Sequence, residues 1–290
     1  TTIHDLALSG NIMVSTRGSK GIRLYDITNA SQPVVLSDYD SDNTSAYARG
    51  IALSGNIAYA AMGLVGLEII NIGNTAQPAK ISQLDTAGYA QAVVSSQSYV
   101  YIVDESKGIA IINTANSAEP TLVSTLPSKD RTYGISIGND HAFISDGFHG
   151  LVVANITNKS SPQINTEEPT IGNARHISSN GNILYISDYR SGIAIYDITD
   201  IHAPQLLSKV DLEKYVRSSA YDNNYLYVAN ESYGLTIIDV TNPYVPVVKT
   251  SLPTPGQVYD VAVKGNYAYL ADYSNGIVIV DIQNKETPVI

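Results

Sequence analysis

Residues 225–230 read Tyr-Leu-Tyr-Val-Ala-Asn, residues 234–240 read Gly-Leu-Thr-Ile-Ile-Asp-Val, and Pro246 follows. Forty-two residues further on, Tyr-Ala-Tyr-Leu-Ala-Asp fills 267–272, Gly-Ile-Val-Ile-Val-Asp-Ile fills 276–282, and Pro288 follows. Short runs rich in Tyr, Ile and Val, parted by a polar turn, are strand chemistry. Their return at a fixed distance is a repeat, and a repeat decides the fold before any local assignment does.

The repeat runs through the chain. A Gly followed by Ile or Leu stands at Gly21, Gly66, Gly108, Gly150, Gly192, Gly234 and Gly276, in one step of 45 and five of 42. Twelve residues after each comes a Pro: Pro33, Pro78, Pro120, Pro162, Pro204, Pro246 and Pro288. Each copy holds four apolar runs; in the fifth they are 175–179, 183–188, 192–198 and 204–210. Gly, Asn, Asp and Pro bound these runs, and no stretch sustains a 3.6-residue period, so no helix of note is expected. Four antiparallel strands per copy are the signature of a propeller blade. A linear solenoid would need polar end caps that the sequence lacks. The expectation is an all-β chain, one domain over 1–290, folded as a seven-bladed β-propeller of four-stranded antiparallel blades.

The strands quoted above, together with Gly-Leu-Glu-Ile-Ile-Asn-Ile at 66–72, resemble the LVIVD repeat of bacterial and archaeal surface and exported proteins. The resemblance spans essentially the whole chain. It implies a β-propeller and an extracellular, cell-surface or periplasmic location, and it leaves activity open, since fold and function separate. The first copy departs most, with Arg17 where Asp is usual and Val14 where Tyr is usual.

Composition narrows the function classes. Lys plus Arg is 17 and Asp plus Glu is 27, a formal charge of −10. That balance argues against nucleic acid as a partner, which asks for a basic face. Without Cys there is no disulfide scaffold, thiolate metal site or cysteine nucleophile. No apolar run reaches the roughly 18 residues of a membrane helix, so direct membrane insertion is not expected. The chain begins at Thr1, which reads as a mature or excised segment of a larger protein. A monomer is the expectation, because a closed ring leaves few free strand edges. Aromatic usage is lopsided, with 21 Tyr, 2 Phe and no Trp, and Tyr suits half-wet positions.

Residues present in nearly every copy read as scaffold. Asp104, Asp146, Asp188, Asn230 and Asp272 lie four before the Gly, where Asp or Asn bonds turn backbone. Asp26, Asn71, Asn113, Asn155, Asp197, Asp239 and Asp281 close the third strand. Tyr59, Tyr101, Phe143, Tyr185, Tyr227 and Tyr269 form an aromatic column. Function must instead break the sameness, because one ligand meets one asymmetric surface.

The position seventeen before the Gly varies: His4, Arg49, Gln91, Tyr133, Arg175, Arg217 and Tyr259. It opens the first strand of each copy, the strand that would line the channel. The next position holds Asp5, Gly50, Ala92, Gly134, His176, Ser218 and Asp260. Six of the seven Arg, all but Arg23, map to these openings or to loops on the same face. Tyr47, Tyr89, Tyr189, Tyr215, Tyr233, Tyr273, Phe148 and His149 fall in those loops too. Arg pairs with carboxylate, sulfate or phosphate and stacks on rings, and Arg and Tyr dominate binding hot spots. The expected ligand site is therefore His4, Arg49, Gln91, Tyr133, Arg175, His176, Arg217 and Tyr259. The competing reading is that Arg49, Arg175 and Arg217 neutralise nearby Asp.

Two weaker signals bear on chemistry. Asp38, Asp40 and Asp42 resemble the opening of a calcium loop, but the Gly and Glu of such a loop are missing, and no metal is expected. His4, Asp5, His176, Tyr259 and Asp260 could form an acid–base set acting on a uronate polymer. There is no phosphate loop, zinc-binding His pair or nucleophile elbow, and no cofactor is expected. The expected function is a non-catalytic, adhesion-type recognition module for a glycan, peptide or protein. An enzyme acting on an anionic polysaccharide, as lyase or hydrolase, is the alternative, and an architectural role comes third. The outer strand of the last blade is expected to be short, since the chain stops at Pro288-Val-Ile290.

Overall fold

The computed structural model describes residues 2–138 and 140–290. The fold is a seven-bladed β-propeller, all β, on repeats of about 42 residues. Among the described residues there are six four-stranded antiparallel sheets and one three-stranded sheet, each a simple meander in chain order. A single 3-10 turn, Glu105–Lys107, is the exception to strand and turn. Among the described residues no helix is long and apolar enough to cross a membrane. The fifth blade is representative: His176–Asn180, Ile183–Ser187, Ile193–Asp197 and Gln205–Val210. Third and fourth strands lose register by one residue in the middle, as between Ile195 and Tyr196. A bulge there adds twist.

The chain divides into two compact units. The N-terminal unit runs to Thr132 and takes in Asn158–Pro162; the C-terminal unit holds Tyr133–Thr157 and Gln163–Ile290. Blades one to three belong to the first, four to seven to the second. Within each unit the first strand of a blade lies against the first strand of the next. The core sits between consecutive blades, as where Tyr59, Leu67 and Ile69 of the second blade meet Val93, Val100 and Ile112 of the third. Tyr185, Ile193 and Ile195 of the fifth likewise meet Val216, Leu226 and Ile238 of the sixth. The aromatic column is part of this filling: Tyr101, Tyr227 and Tyr269 are at most 1% exposed. Each such ring contributes about 1.5–3 kcal/mol by burial.

Side chains repeated in every copy bond the backbone. The residues closing the third strand accept the N–H two residues on, from Asp26 with Thr28 to Asp281 with Gln283, at 2.7–3.0 Å. These are Asx turns. Bonds from Thr28, Thr199 and Thr241 hold Asp26, Asp197 and Asp239 below the ordinary carboxylate range. The column four before the Gly bonds backward, to the loop arriving from the previous blade. Asp188 accepts from Thr170 Oγ1 (2.8 Å) and Gly172 N (2.9 Å), and Asp272 from Thr254 Oγ1 (2.8 Å) and Gly256 N (2.9 Å).

One stitch was invisible in sequence. Ser37, Ser82, Ser124 and Ser208 of the fourth strands donate to the carbonyls of Thr75, Ser117, Lys159 and Pro243 in the next turn along, each at 2.6 Å. The last blade has the three strands Asp260–Lys264, Tyr267–Ala271 and Ile277–Asp281, and Val289 bridges Asp281 where a fourth strand begins elsewhere.

Candidate functional site

The turn between second and third strands positions the variable residues. Its third residue before the repeat Gly forms a two-residue bridge to the loop leading into the next blade: Gly18 with Ala48, Gly63 with Ala90, Gly147 with Ala174, Tyr189 with Val216, and Glu231 with Val258. The residue after each of these partners opens a first strand, and its N–H continues the ladder, as Arg175 N to Ser187 O (2.8 Å) and Arg217 N to Ala229 O (2.9 Å). A buried bridge on one side and a ladder bond on the other fix where each opening side chain emerges.

The bridging position is left-handed in every blade. φ is +57° at Gly18, +61° at Gly63 and +56° at Gly147, where glycine carries no penalty. It is also +44° at Glu105, +49° at Tyr189, +34° at Glu231 and +46° at Tyr273. A non-glycine residue held there costs on the order of 1 kcal/mol or more. Three of these four residues touch the predicted site.

In the C-terminal unit they complete a row. The Arg175 guanidinium carbon lies 3.9 Å from the Tyr133 ring centre and 4.6 Å from that of Tyr189. The Arg217 guanidinium carbon lies 5.3 Å from Tyr189 and 4.7 Å from Tyr259. Tyr189 stacks on Tyr215 at 4.5 Å and Tyr259 on Tyr273 at 4.7 Å. Arg190 donates to Tyr215 Oη at 2.9 Å. Arg217 also pairs with Glu231, Nε to Oε1 2.6 Å, and that glutamate is 5% exposed. Cation–ring contacts of this kind are worth about 0.5–2 kcal/mol each. Tyr133, Arg175, Arg217 and Tyr259 are thus drawn together in one unit, and Tyr189 and Tyr273 are the links.

The N-terminal unit gathers a smaller cluster. The Arg49 guanidinium carbon lies 5.5 Å from the Tyr47 ring and 5.7 Å from that of Tyr89, and Nη1 stands 3.5 Å from His4 Nδ1. His4 Nε2 is 3.2 Å from Tyr47 Oη. Arg49 Nε is buried and meets no acceptor among the described residues. Gln91 stands apart from this group and donates to the Thr132 carbonyl.

Other predicted residues serve the backbone. Asp5 accepts from Leu6 N and Ile51 N, both at 2.8 Å. His176 does the equivalent one unit away, its Nδ1 accepting from Ser219 N at 3.3 Å. That bond places the ring proton on Nε2. Burial holds the His176 imidazole below its ordinary pKa, against the pull of Asp260. Asp260 accepts from Ser218 Oγ at 2.7 Å. These contacts give the proposed acid–base residues structural work.

The acidic loop is neutralised by cations. Asp38 takes Arg23 Nε at 2.6 Å and Arg17 Nη1 at 2.9 Å, and Asp42 takes Lys80. Among the described residues no group of three His, Cys, Asp or Glu could hold a metal. Beside this loop lies a feature the sequence reading missed. Glu68 is fully buried, in a column otherwise filled by Ala, Val, Thr and Arg23, and accepts from Tyr39 Oη at 3.0 Å and Ser41 Oγ at 2.5 Å. A lone carboxylate in an apolar column was the signal available. Asp104 is likewise fully buried; Thr86 Oγ1 bonds its Oδ1 at 3.1 Å while Oδ2 meets no donor among the described residues. Desolvation raises its pKa to about 6.

Comparison with known proteins places the fold and family. No curated protein matches the chain significantly. A solved structure described as the computationally designed Ika8 protein is 12% identical, covers 96% of both chains and superposes with a TM-score of 0.71. The structure of U3-55K is also 12% identical, covers 93% of this chain and 88% of its own, and gives 0.74. Likeness at that identity is likeness of fold. The LVIVD repeat matches residues 45–86, 87–126, 131–167, 171–211, 215–254 and 255–290, omitting only the atypical first blade and short gaps. The chain belongs to the LVIVD repeat family.

Proposed function

We propose that this protein is a non-catalytic recognition module of an exported or cell-surface protein, binding a glycan, peptide or protein through the arginine–tyrosine row of its C-terminal unit. Tyr133, Arg175, Arg217 and Tyr259 are the anchors; His4, Arg49, Gln91 and His176 are the remaining candidates. One observation carries the reading. Tyr189 and Tyr273 hold left-handed backbone at a position where three blades use Gly, and their side chains enter the row. Strain kept where a relaxed residue is available points to a use of the side chain other than folding. The row's Arg-and-Tyr composition is that of binding hot spots.

The test is capture on glycan and peptide arrays by the wild-type chain and by Arg175→Ala. Arg175 is the better probe, because Arg217→Ala also leaves the buried Glu231 carboxylate without its cation. The expected result is ligand captured by the wild type and lost by the variant, which still unfolds in one cooperative transition. Equal capture by both proteins removes the proposal.

A further inference from the structure

We infer that the row takes an extended acidic peptide segment that also carries apolar side chains; this rests on the recognition reading above and names its ligand class. Three observations lead there.

The first is charge. In a chain of net charge −10, Arg175, Arg190 and Arg217 converge on one set of tyrosines. Guanidinium N–H groups favour carboxylates, in-plane and often bidentate. The second is how the rings are used. A neutral sugar docks by laying its C–H face on an open aromatic face. Here Tyr133, Tyr189 and Tyr259 carry guanidinium groups, and Tyr189 and Tyr259 also carry Tyr215 and Tyr273. Most of these ring faces are already engaged within the protein, which favours recognition through N–H and O–H edges.

The third separates a peptide from a polyanionic glycan. Phe148 and Ile171 are each 75% exposed. Phe148 follows Gly147, whose carbonyl accepts Ala174 N at 2.9 Å, and Arg175 follows Ala174. Ile171 lies three residues before that same bridge. Two large apolar side chains therefore flank the point where Arg175 leaves the sheet. Exposed apolar groups beside Arg and Tyr mark protein-binding surfaces. A uronate or sulfate polymer offers them nothing, whereas a Leu or Phe does. The anchors open the first strands of four successive blades, and a row of that kind suits an extended ligand.

The experiment is fluorescence anisotropy with three labelled probes. One is a peptide of about twelve residues, alternating Glu and Ser around a central Leu-Phe pair. The second replaces that pair with Ser, and the third is an oligogalacturonate of matched charge. The Leu-Phe peptide is expected to bind at least about tenfold tighter than either other probe. Phe148→Ser with Ile171→Ser is expected to bring it down to the level of the all-polar peptide. Equal binding of the two peptides, equal or tighter binding of the oligogalacturonate, or no binding of the Leu-Phe peptide overturns the inference. Oligogalacturonate binding that Arg175→Ala abolishes keeps the recognition reading while removing the peptide. The recognition reading itself falls only if array capture is absent or survives Arg175→Ala.

Discussion

Two turns of each unit solve one backbone problem in two ways, while Glu105 in the N-terminal unit is itself left-handed and Gly147 in the C-terminal unit is relaxed. In the N-terminal unit the left-handed bridge residues Gly18 and Gly63 lie under the rings of Tyr47 and Tyr89. A Cβ at either glycine would stand 2.8 or 3.1 Å from the ring carbons. The loop supplies the aromatic group, the turn supplies a flat seat, and Arg49 leans on both rings. In the C-terminal unit Tyr189 and Tyr273 occupy that turn position with rings of their own, and Tyr215 must stack on Tyr189 instead of a bare backbone. The first arrangement is relaxed and holds one arginine. The second is strained and holds two arginines in series. The scaffold tolerates either, and the proposed recognition role accounts for the difference.

That contrast can be sharpened experimentally. The largest effect is expected on binding: Arg175→Ala should weaken capture of the array ligand by ten-fold or more, about 1.4 kcal/mol or above, in a protein that still melts cooperatively. An isotherm and a melting curve on the same sample check both halves. Next comes Arg217→Ala, which should destabilise the fold by about 2 kcal/mol by leaving buried Glu231 unpaired, as read by urea unfolding. Arg217→Ala with Glu231→Gln should recover much of that loss. Forcing the C-terminal solution on the N-terminal unit, Gly63→Tyr should cost about 1–2 kcal/mol, since it adds left-handed strain and drives a Cβ into Tyr89.

The smallest effect concerns Asp104. Its native pKa of about 6 lies above the ordinary value of 3.8. The native state therefore holds the proton more tightly than the unfolded chain, and stability falls as pH rises from about 4 to 6. Asp104→Asn should add about 1 kcal/mol at pH 7.5 and nothing below pH 4. Asn230 already fills the equivalent position in the sixth blade. Melting curves at both pH values decide it.

The blade count, the four-stranded meander and the turn-closing Asp and Asn columns were legible in sequence because each is written several times over. Periodicity separates scaffold from variation without any other chain for comparison. The row residues Arg175, Arg217, Tyr133 and Tyr259 stand out in the sequence as departures from that period. Their assembly does not. Tyr189 and Tyr273 were legible as loop tyrosines of the same face, but not as the links of the row, because left-handed φ leaves no mark when the residue is not Gly. The structural use of Asp5 and His176 was hidden as well, since a side chain capping the next strand's N–H looks in sequence like a titratable group in a channel. Glu68 was missed, and the full burial of Asp104 within its scaffold column was not foreseen, for a related reason, because burial of a single acid depends on the neighbouring blade.

The claim beneath all of this is that the rings at the turns of the C-terminal unit are kept for a ligand at some cost to the fold. The melting temperature of the Tyr189→Gly, Tyr273→Gly double variant tests it without any knowledge of the ligand. Unfolding is expected close to the wild-type temperature, because release of the left-handed strain at two positions offsets the ring contacts that are lost. A fall of about 5 °C or more, roughly 3 kcal/mol of lost stability in a chain of this length, would contradict it and make the row a structural brace.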